Sequence, residues 1–274
     1  MIPNIKPIRL FIFIGMSIVL VGMLFPLIYM LVSSLKHITT FGGFDLLLGG
    51  KFTLENYTEV FSRGGISTFL FNSFLVATIV TIGNIVFCLM SGYALARKRF
   101  FGNKFLFIAA TAVLMIPQHV VIIPVYILIT KVGMHNTYWA LILPWLVNPL
   151  GIFLMRQYIS NLPEECEQAA RIDGAGEFRI LFQIVMPLCK PAIAVLAVQV
   201  FLTNWNSFLY PFILTSSPKL YTLPVGLAMM QGLQQMNLGQ LMAGSTIAAL
   251  PVIIVFLFFQ RQITEGITAG AIKG

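Results

Sequence analysis

The chain has 274 residues, of which 58% are hydrophobic and only 9% are charged. A soluble globular domain carries about 25% charged residues, so this composition excludes a water-soluble protein and indicates a single integral membrane domain over residues 1–274. The formal net charge of +8 does not indicate nucleic-acid binding in such a protein, because basic residues instead mark the cytoplasmic loops of a membrane protein.

Six hydrophobic segments are each near the length that a membrane-spanning helix needs, about 20 residues. They cover residues 10–35, 69–95, 105–130, 138–155, 191–210 and 241–259. The first segment is too long for the apolar region of a signal peptide, so we expect an uncleaved span. The fourth contains Pro144, Pro149 and Gly151 and should be bent. The sequence therefore predicts an all-α membrane protein with six transmembrane helices.

Six spans place both termini on one side of the membrane. If that side is the cytoplasm, it holds 12 of the 17 basic residues, and the opposite side holds five. This asymmetry predicts the orientation, with Arg97, Lys98 and Arg99 as the strongest anchor. The outer segment at residues 36–65 should contain a short surface helix, with Leu54 and Phe61 on one face. The outer segment at residues 211–240 is either a connecting loop or a segment that re-enters the bundle.

The polar loop at residues 156–190 separates the fourth and fifth spans. It holds nine of the 26 charged residues, which are the sum of 17 basic and nine acidic residues. Asn161 and Pro163 predict the start of a first helix, and Gly174 its end. One face of this helix carries only small or short side chains, Cys166, Ala169, Ala170 and Asp173, so that another helix could approach closely.

A second helix in the same loop is predicted from an apolar stripe at helical spacing. The stripe consists of Phe178, Leu181, Phe182, Val185 and Met186. We expect this helix to lie at the membrane interface. On pattern alone, the whole loop could also be a plain loop that folds against the bundle.

The spacing within this loop resembles the signature of binding-protein-dependent ABC importer permeases. That signature reads Glu-Ala-Ala, three residues, Gly, nine residues, Ile, any residue, Leu-Pro. Here Gln168-Ala169-Ala170, Gly174, Ile184 and Met186-Pro187 stand at the same spacings. Residues 54–57, 92–97, 171–175, 205–208 and 266–274 further resemble the second permease of maltose-type carbohydrate importers. Two positions differ, because Gln168 replaces Glu and Met186 replaces Leu, and either Gln168 or the adjacent Glu167 could take the role of the signature Glu.

The resemblance implies a type I importer bundle whose loop between helices 4 and 5 is a coupling helix for a separate ATPase. The residues that it places against the ATPase are Glu167, Gln168, Ala169, Ala170, Arg171, Asp173, Gly174, Ala175, Ile184, Met186 and Pro187. In the predicted cytoplasmic tail, residues 261–274, it adds Gly270, Lys273 and Gly274.

The resemblance also implies a set of partners in a bacterial or archaeal cytoplasmic membrane. These are a second permease, two ABC ATPases that bind the ATP and magnesium, and an extracytoplasmic solute-binding protein. A heterodimer of permeases is the usual arrangement of the family, and the sequence leaves a homodimer open. The implied solute is a sugar or a sugar-like compound, and this chain itself is expected to bind no cofactor and to catalyse no reaction.

Polar residues near the spans are candidates for the solute path, since polar groups at membrane depth must face protein or water. The candidates are Asn148, Asn204, Trp205 and Asn206, of which Trp205 and Asn206 suit a hydroxylated ring. The alternative is that such residues make hydrogen bonds between helices. Three cysteines without C-x-x-C spacing predict apolar fillers and no metal site.

Two other classes of function compete with an importer subunit. A self-sufficient secondary transporter or channel for a neutral solute is the alternative, although ion-coupled carriers bury carboxylates in their spans and all nine acidic residues here fall in loops or the tail. A membrane enzyme is disfavoured because neither H-E-x-x-H nor G-x-S-x-G occurs in the sequence. The phosphate-binding pattern G-x-x-x-x-G-K-[ST] is also missing from the sequence, so an importer would need its ATP hydrolysed by another chain.

Overall fold

The computed structural model describes residues 5–38, 51–62, 65–234 and 236–271, and this part of the chain contains helices and no β-strand. It divides into two compact units. The first unit comprises Met1–Ser67 and Gly226–Leu250, and the second comprises Thr68–Val225 and Pro251–Gly274. The helices are α1 (Ile5–Ser34), α2 (Glu55–Ser62), α3 (Ile66–Arg97), α4 (Asn103–Ala112), α5 (Ile122–Lys131), α6 (Tyr138–Ile142), α7 (Pro149–Ser160), α8 (Glu165–Ile172), α9 (Glu177–Leu188), α10 (Lys190–Trp205), α11 (Leu209–Leu214), α12 (Leu223–Gln234) and α13 (Leu238–Ala271). The predicted all-α class is therefore confirmed.

Four stretches are long and apolar enough to cross a membrane, and there are up to six if each of two bent pairs is one span. The four are Arg9–Ser34, Ile66–Arg97, Tyr138–Ser160 and Leu238–Gln260. In the first bent pair, Asn103–Met115 and Gln118–Lys131, the chain bends by 94° between the two helices. In the second, Glu177–Leu188 and Lys190–Trp205, it bends by 82°. The six-span count thus remains a prediction.

The predicted span at residues 105–130 is not one straight helix. Ile116 is extended, with φ −89° and ψ 117°, and Pro117 follows it. A proline disfavours helical backbone in the residue before it, and this explains the break. The predicted fourth span is also interrupted, at residues 146–148, just before Asn148 and Pro149 open α7. The segment at residues 211–240 is largely helical, as parts of α11 and α12.

In the first unit, the apolar side chains of α1 are exposed around the whole helix, as expected for a helix surrounded by lipid. The predicted surface helix is confirmed as α2. Leu54 and Phe61, which stand at helical spacing, are exposed, whereas Asn56 and Val60 are buried. The Asn56 Nδ2 atom donates to the carbonyl oxygens of Ser34 and Lys36, at 2.9 and 2.8 Å. A buried amide therefore satisfies the carbonyl end of α1 and sets which face of α2 turns inward.

In the second unit, helices α3, α7 and α10 pack around two glycines. A Cβ atom at Gly92 would lie 2.7 Å from Met155 Cβ and 2.8 Å from the Arg156 backbone nitrogen. A Cβ atom at Gly151 would lie 2.7 Å from Cys88 Sγ and 2.9 Å from Leu196 Cδ1. These close approaches need residues without side chains, as is common between membrane helices. They hold α7, and the polar loop that follows it, against α3.

A Gly92→Ala substitution should destabilise the protein, because the added methyl group meets the backbone of α7. We expect a cost of about 1–3 kcal/mol from overpacking, measured as a lower apparent Tm of the detergent-purified chain. Gly15→Ala is the matched control, since nothing lies within 4 Å of its Cβ position and alanine favours helix. An equal Tm for both variants would contradict the close approach of α3 and α7.

Candidate functional site

The first helix of the polar loop, α8, begins at Glu165 rather than near Pro163. The prediction that Asn161 caps it is wrong, because Asn161 follows α7 and donates from Nδ2 to the Gln157 carbonyl oxygen at 2.8 Å. The residue before α8 is Glu164, and its side chain makes no capping hydrogen bond. Asn161 thus closes one helix instead of opening the next.

The predicted end of α8 at Gly174 is confirmed. Gly174 has φ 76°, a backbone conformation that glycine adopts without strain. Its N–H donates to the Arg171 carbonyl at 3.0 Å, and the Ala175 N–H donates to the Ala170 carbonyl at 2.9 Å. This pair of bonds is a Schellman motif, in which the last carbonyls of a helix are satisfied by the reversing chain.

A buried ion pair fastens α8 to the end of α3. Arg97 Nε lies 2.8 Å from Glu167 Oε1, and the two side chains are only 5% and 3% exposed. The other guanidinium nitrogens of Arg97 reach the Leu162 carbonyl at 2.7 Å and Glu164 Oε1 at 3.3 Å. Breaking a buried pair of this kind leaves an uncompensated charge away from water. Glu167 is therefore committed to the interior of the protein.

Further polar groups extend this ion pair toward α9. The Tyr93 hydroxyl donates to Glu177 Oε2 at 2.9 Å, and Arg171 Nη2 donates to the Tyr93 oxygen at 3.3 Å. Lys98 Nζ lies 2.5 Å from Glu177 Oε1. The hydrogen bond from Lys98 lowers the pKa of Glu177 to about 2, so that this carboxylate is charged at neutral pH. We call the residues of this network, Tyr93, Arg97, Lys98, Glu164, Glu167, Arg171 and Glu177, the ion cluster.

The outward face of α8 differs from the predicted one. Cys166, Gln168, Ala169 and Asp173 are exposed, but Ala170 is half-buried and packs against the hydrophobic core. Ala170 was expected on the exposed face because it lies four residues after Cys166. Ile172, whose side chain the sequence did not single out, is 87% exposed. A partner that touches α8 from outside would therefore meet Gln168, Ala169 and Ile172.

The two candidates for the role of the signature Glu differ in exposure. Gln168 stands at the signature spacing and is exposed, whereas Glu167 is buried in the ion pair with Arg97. The side chain that faces outward here is thus a neutral amide. Cys166 is exposed as well, so the expectation that all three cysteines are apolar fillers holds only for the buried Cys88 and Cys189.

The five residues of the predicted apolar stripe do not share one environment in α9. Leu181 and Val185 are buried, Phe178 and Phe182 are exposed, and Ile180, which is not part of the stripe, is buried. Residues Leu181–Val185 form a π turn, which has more residues per turn than an α-helix. The wider turn shifts the buried face, and a pattern based on 3.6 residues per turn misses this shift.

The remaining residues of the predicted coupling set lie in three places. Ile184 is half-buried in the π turn, Met186 packs against the core, and Pro187 is exposed beside it. Arg171 and Ala175 belong to the ion cluster and the Schellman motif described above. Gly270 lies within α13, while Lys273 and Gly274 fall outside the described residues.

A polar cavity of about 320 Å³ lies where α10 ends. Its polar lining residues are Gln118, His119, Thr203, Asn204, Asn206 and Ser207, and its aromatic lining residues are Trp145, Phe208 and Tyr210. The Tyr210 hydroxyl donates to the Gln118 carbonyl at 2.6 Å and its ring meets Trp145 edge-on, with centroids 4.6 Å apart. The cavity is thus shaped by the break before Gln118 together with the chain that follows α10.

Of the four residues predicted for the solute path, the cavity contains Asn204 and Asn206. Trp205 is only 2% exposed, stacks on Phe201 and does not line the cavity. Consecutive helical residues point in different directions, and the residue between Asn204 and Asn206 turns to the core. Asn148 also lies outside the lining, and its Oδ1 atom caps α7 by accepting from the Leu150 N–H at 2.9 Å.

Sequence reasoning missed the aromatic side of the cavity and most of the ion cluster. Arg97 was interpreted only as a membrane anchor, and Tyr93 only as part of a resembling segment. The contacts of Arg97 and Tyr93 with the polar loop, and the contact between Trp145 and Tyr210, join residues that are 65 or more positions apart. Such contacts produce no local sequence pattern. The alternative, that polar side chains in the spans make hydrogen bonds between helices, is confirmed for another amide, Asn84, whose Nδ2 atom donates to the Trp145 carbonyl.

Apolar helices of spanning length together with a polar cavity are typical of a membrane transport protein, and comparisons with known proteins specify its family. Residues 84–268 match the family model described as "Binding-protein-dependent transport system inner membrane component". The chain is 36% identical over 265 residues to an arabinooligosaccharide transport system permease of Halalkalibacterium halodurans, covering 95% of each chain. It is 35% identical over 271 residues to a trehalose/maltose transport system permease of Thermococcus litoralis, covering 97% of each.

Among solved structures, the chain resembles one from a bacterial ABC transporter involved in the import of the polysaccharide alginate. The TM-score is 0.84 at 20% identity, covering 94% of this chain and 97% of the other. The chain thus belongs to the binding-protein-dependent transport family of inner membrane components. It is a permease of an ABC importer, as the resemblance in the polar loop implied.

Replacing Arg97 by Met should destabilise the protein strongly, because the buried Glu167 carboxylate then keeps only the longer, 3.6 Å contact with Arg171, whose side chain is 40% exposed. We expect a loss of about 3–5 kcal/mol, measured as a lower apparent Tm of the purified chain. Arg99→Met removes an exposed cation two residues along the chain and should change the Tm little. A similar small shift for both variants would refute the buried ion pair.

Proposed function

We propose that this permease forms half of the translocation pathway of a sugar importer. Residues 163–187 would couple it to ATP hydrolysis in a separate subunit. The observation that carries the proposal is the outward face of α8. This short helix is fixed to α3 by a buried ion pair, yet it exposes Ala169 and Ile172 to its surroundings. Because the helix is held in place, these two apolar side chains offer a partner a preformed surface, which lowers the cost of binding.

The partner of this surface would be a separate ABC ATPase. The chain lacks the phosphate-binding pattern of such enzymes, and the family to which it belongs consists of permease components. We infer that two ATPases bind the ATP and magnesium, that a second permease completes the pathway, and that a solute-binding protein delivers the solute from outside. A likeness to an alginate importer solved with its periplasmic protein, at TM-score 0.60, supports the last partner.

The orientation follows from the same assignment. An ATPase meets the permease in the cytoplasm, so α8 must lie on the cytoplasmic side of the membrane. The excess of basic residues on that side, 12 against five, agrees with this orientation. Both termini are then cytoplasmic, in the cytoplasmic membrane of a bacterium or archaeon.

The chemistry of the cavity supports a neutral, hydroxylated solute. Carboxamides and hydroxyls line it together with three aromatic rings, and His119 is its one ionisable side chain besides the phenol of Tyr210. Asn204 and Asn206 donate from Nδ2 to carbonyls of their own helix, each at 2.9 Å. Their Oδ1 atoms can accept hydrogen bonds from sugar hydroxyls, and a ring face can cover the apolar side of a sugar. The curated relatives that transport oligosaccharides and disaccharides support the same class.

The docking surface can be tested with an Ala169→Trp variant of the chain in its native membrane. The bulky ring on the outward face should abolish recovery of the ATPase in a mild-detergent pull-down, while the second permease is retained. Ser216→Trp, also at an exposed position, is the control and should leave ATPase recovery unchanged. Normal recovery with Ala169→Trp would refute docking on α8, and solute uptake into liposomes by the chain alone would favour a secondary transporter.

The solute assignment can be tested with Asn204→Leu and Asn206→Leu in the assembled importer. We expect sugar uptake to fall at least about tenfold, because a buried hydroxyl loses its partner, while the ATPase still co-purifies. Gln199→Leu removes an amide from the same helix but outside the cavity and should transport normally. Equal uptake by all three variants would show that the solute passes elsewhere.

A further inference from the structure

Residues 98–105, the turn after α3 together with the first residues of α4, form a second polar surface that the coupling proposal does not use. Gly102 has φ 86° and allows the chain to reverse. Asn103 Nδ2 donates to the carbonyl oxygens of Lys98 and Leu95, at 2.8 and 3.3 Å, and so closes the end of α3. The turn is thus a defined structure that holds its side chains in place.

A shallow cavity of about 450 Å³ lies on this turn, and three cations but no acidic residue line it. Lys98 is balanced by Glu177, at 2.5 Å. Arg99 and Lys104 are exposed, and none of the ion pairs among the described residues includes them. The cavity therefore presents two uncompensated positive charges to its surroundings.

Exposed aromatic rings surround these two charges. Phe101 is fully exposed, Phe105 is 72% exposed, and Phe100 is 42% exposed. Burial of apolar surface is favourable by about 25 cal/mol per Å², so three such rings favour an apolar environment. A soluble anion would satisfy the cations but would leave the rings in water. The combination fits a ligand that has both an anionic group and an apolar part.

The position of the turn along the chain agrees with such a ligand. Helix α3, Ile66–Arg97, is long and apolar enough to cross a membrane, and the turn follows its last residue. The turn therefore lies where the span leaves the hydrocarbon layer, at the depth of lipid headgroups. Basic pockets at this depth bind anionic headgroups, and aromatic side chains are favoured there.

We propose that residues 98–105 form a binding site for an anionic membrane phospholipid. Arg99 and Lys104 bind its phosphate, and Phe101 and Phe105 pack against its acyl chains. The site lies next to the ion cluster, because Lys98 both lines the cavity and binds Glu177 of α9. The lipid thus contacts the same turn that binds the polar loop through the Lys98–Glu177 ion pair.

The test is a lipid titration of the purified full-length chain in neutral detergent, read by native mass spectrometry. Dioleoyl phosphatidylglycerol should bind at least about tenfold more tightly than dioleoyl phosphatidylcholine. The double variant Arg99→Gln/Lys104→Gln should weaken phosphatidylglycerol binding by about thirtyfold, from the usual contribution of two basic residues at an anionic surface. The matched control Arg179→Gln/Lys190→Gln removes two other exposed cations and should change binding less than about threefold.

Three results would overturn the proposal. They are equal binding of the two lipids, an equal loss in the control variant, and displacement of phosphatidylglycerol by millimolar inorganic phosphate, which would show a site for a soluble anion. If the double variant fails to fold, a photoactivatable phosphatidylglycerol with the reactive group in its acyl chain tests the unaltered chain. Crosslinks should map to residues 98–105, and crosslinks only elsewhere would also overturn the proposal.

Discussion

Two opposite charges held away from water constrain the geometry of the polar loop. Arg97 ends α3, Glu167 lies within α8, and their 2.8 Å contact is almost completely buried. Separating them would leave each buried charge with only a longer contact, 3.6 Å from Arg171 to Glu167 and 3.3 Å from Arg97 to Glu164, which is costly. Arg97 also binds the Leu162 carbonyl, so it holds the chain on both sides of the start of α8. The loop is therefore a stiff extension of α3 rather than a flexible connection.

The packing of three helices carries this constraint from the loop to the cavity. Gly92 brings α7 against α3, and Gly151 brings α7 against Cys88 of α3 and Leu196 of α10. Helix α10 begins just after the loop and ends at the cavity, and its 16 residues span about 24 Å. The proposed docking surface and the proposed solute site are thus linked through one tightly packed helix group. A displacement of α8 would reach the cavity through rigid elements and not through loops.

The sequence predicted features that depend on local patterns, and it failed where distant residues decide. The end of α8 at Gly174 follows from the backbone freedom of glycine, and the apolar spans follow from length and composition. The sequence did not show that Ala169 is exposed and Ala170 faces inward. The inward side of α8 is set by the ion pair of Glu167 with Arg97, which lies 70 residues earlier. The π turn in α9 has no sequence pattern of its own, so the sequence did not show that Phe178 and Phe182 are exposed while Leu181 and Val185 are buried. The burial of Trp205 was not foreseen either, because a hydrophobic helix gives no periodicity by which to choose its buried side.

The break before Gln118 has a consequence for the lining of the cavity. Backbone that leaves helical geometry at membrane depth is tolerated where it is buried in protein or lines a water-filled space. The break contributes the Gln118 carbonyl, which the Tyr210 hydroxyl binds beside the cavity. Part of the polarity of this region is therefore main chain. Side-chain substitutions around the cavity change its shape and lining, but they leave these peptide groups in place, so the cavity keeps a fixed hydrophilic element.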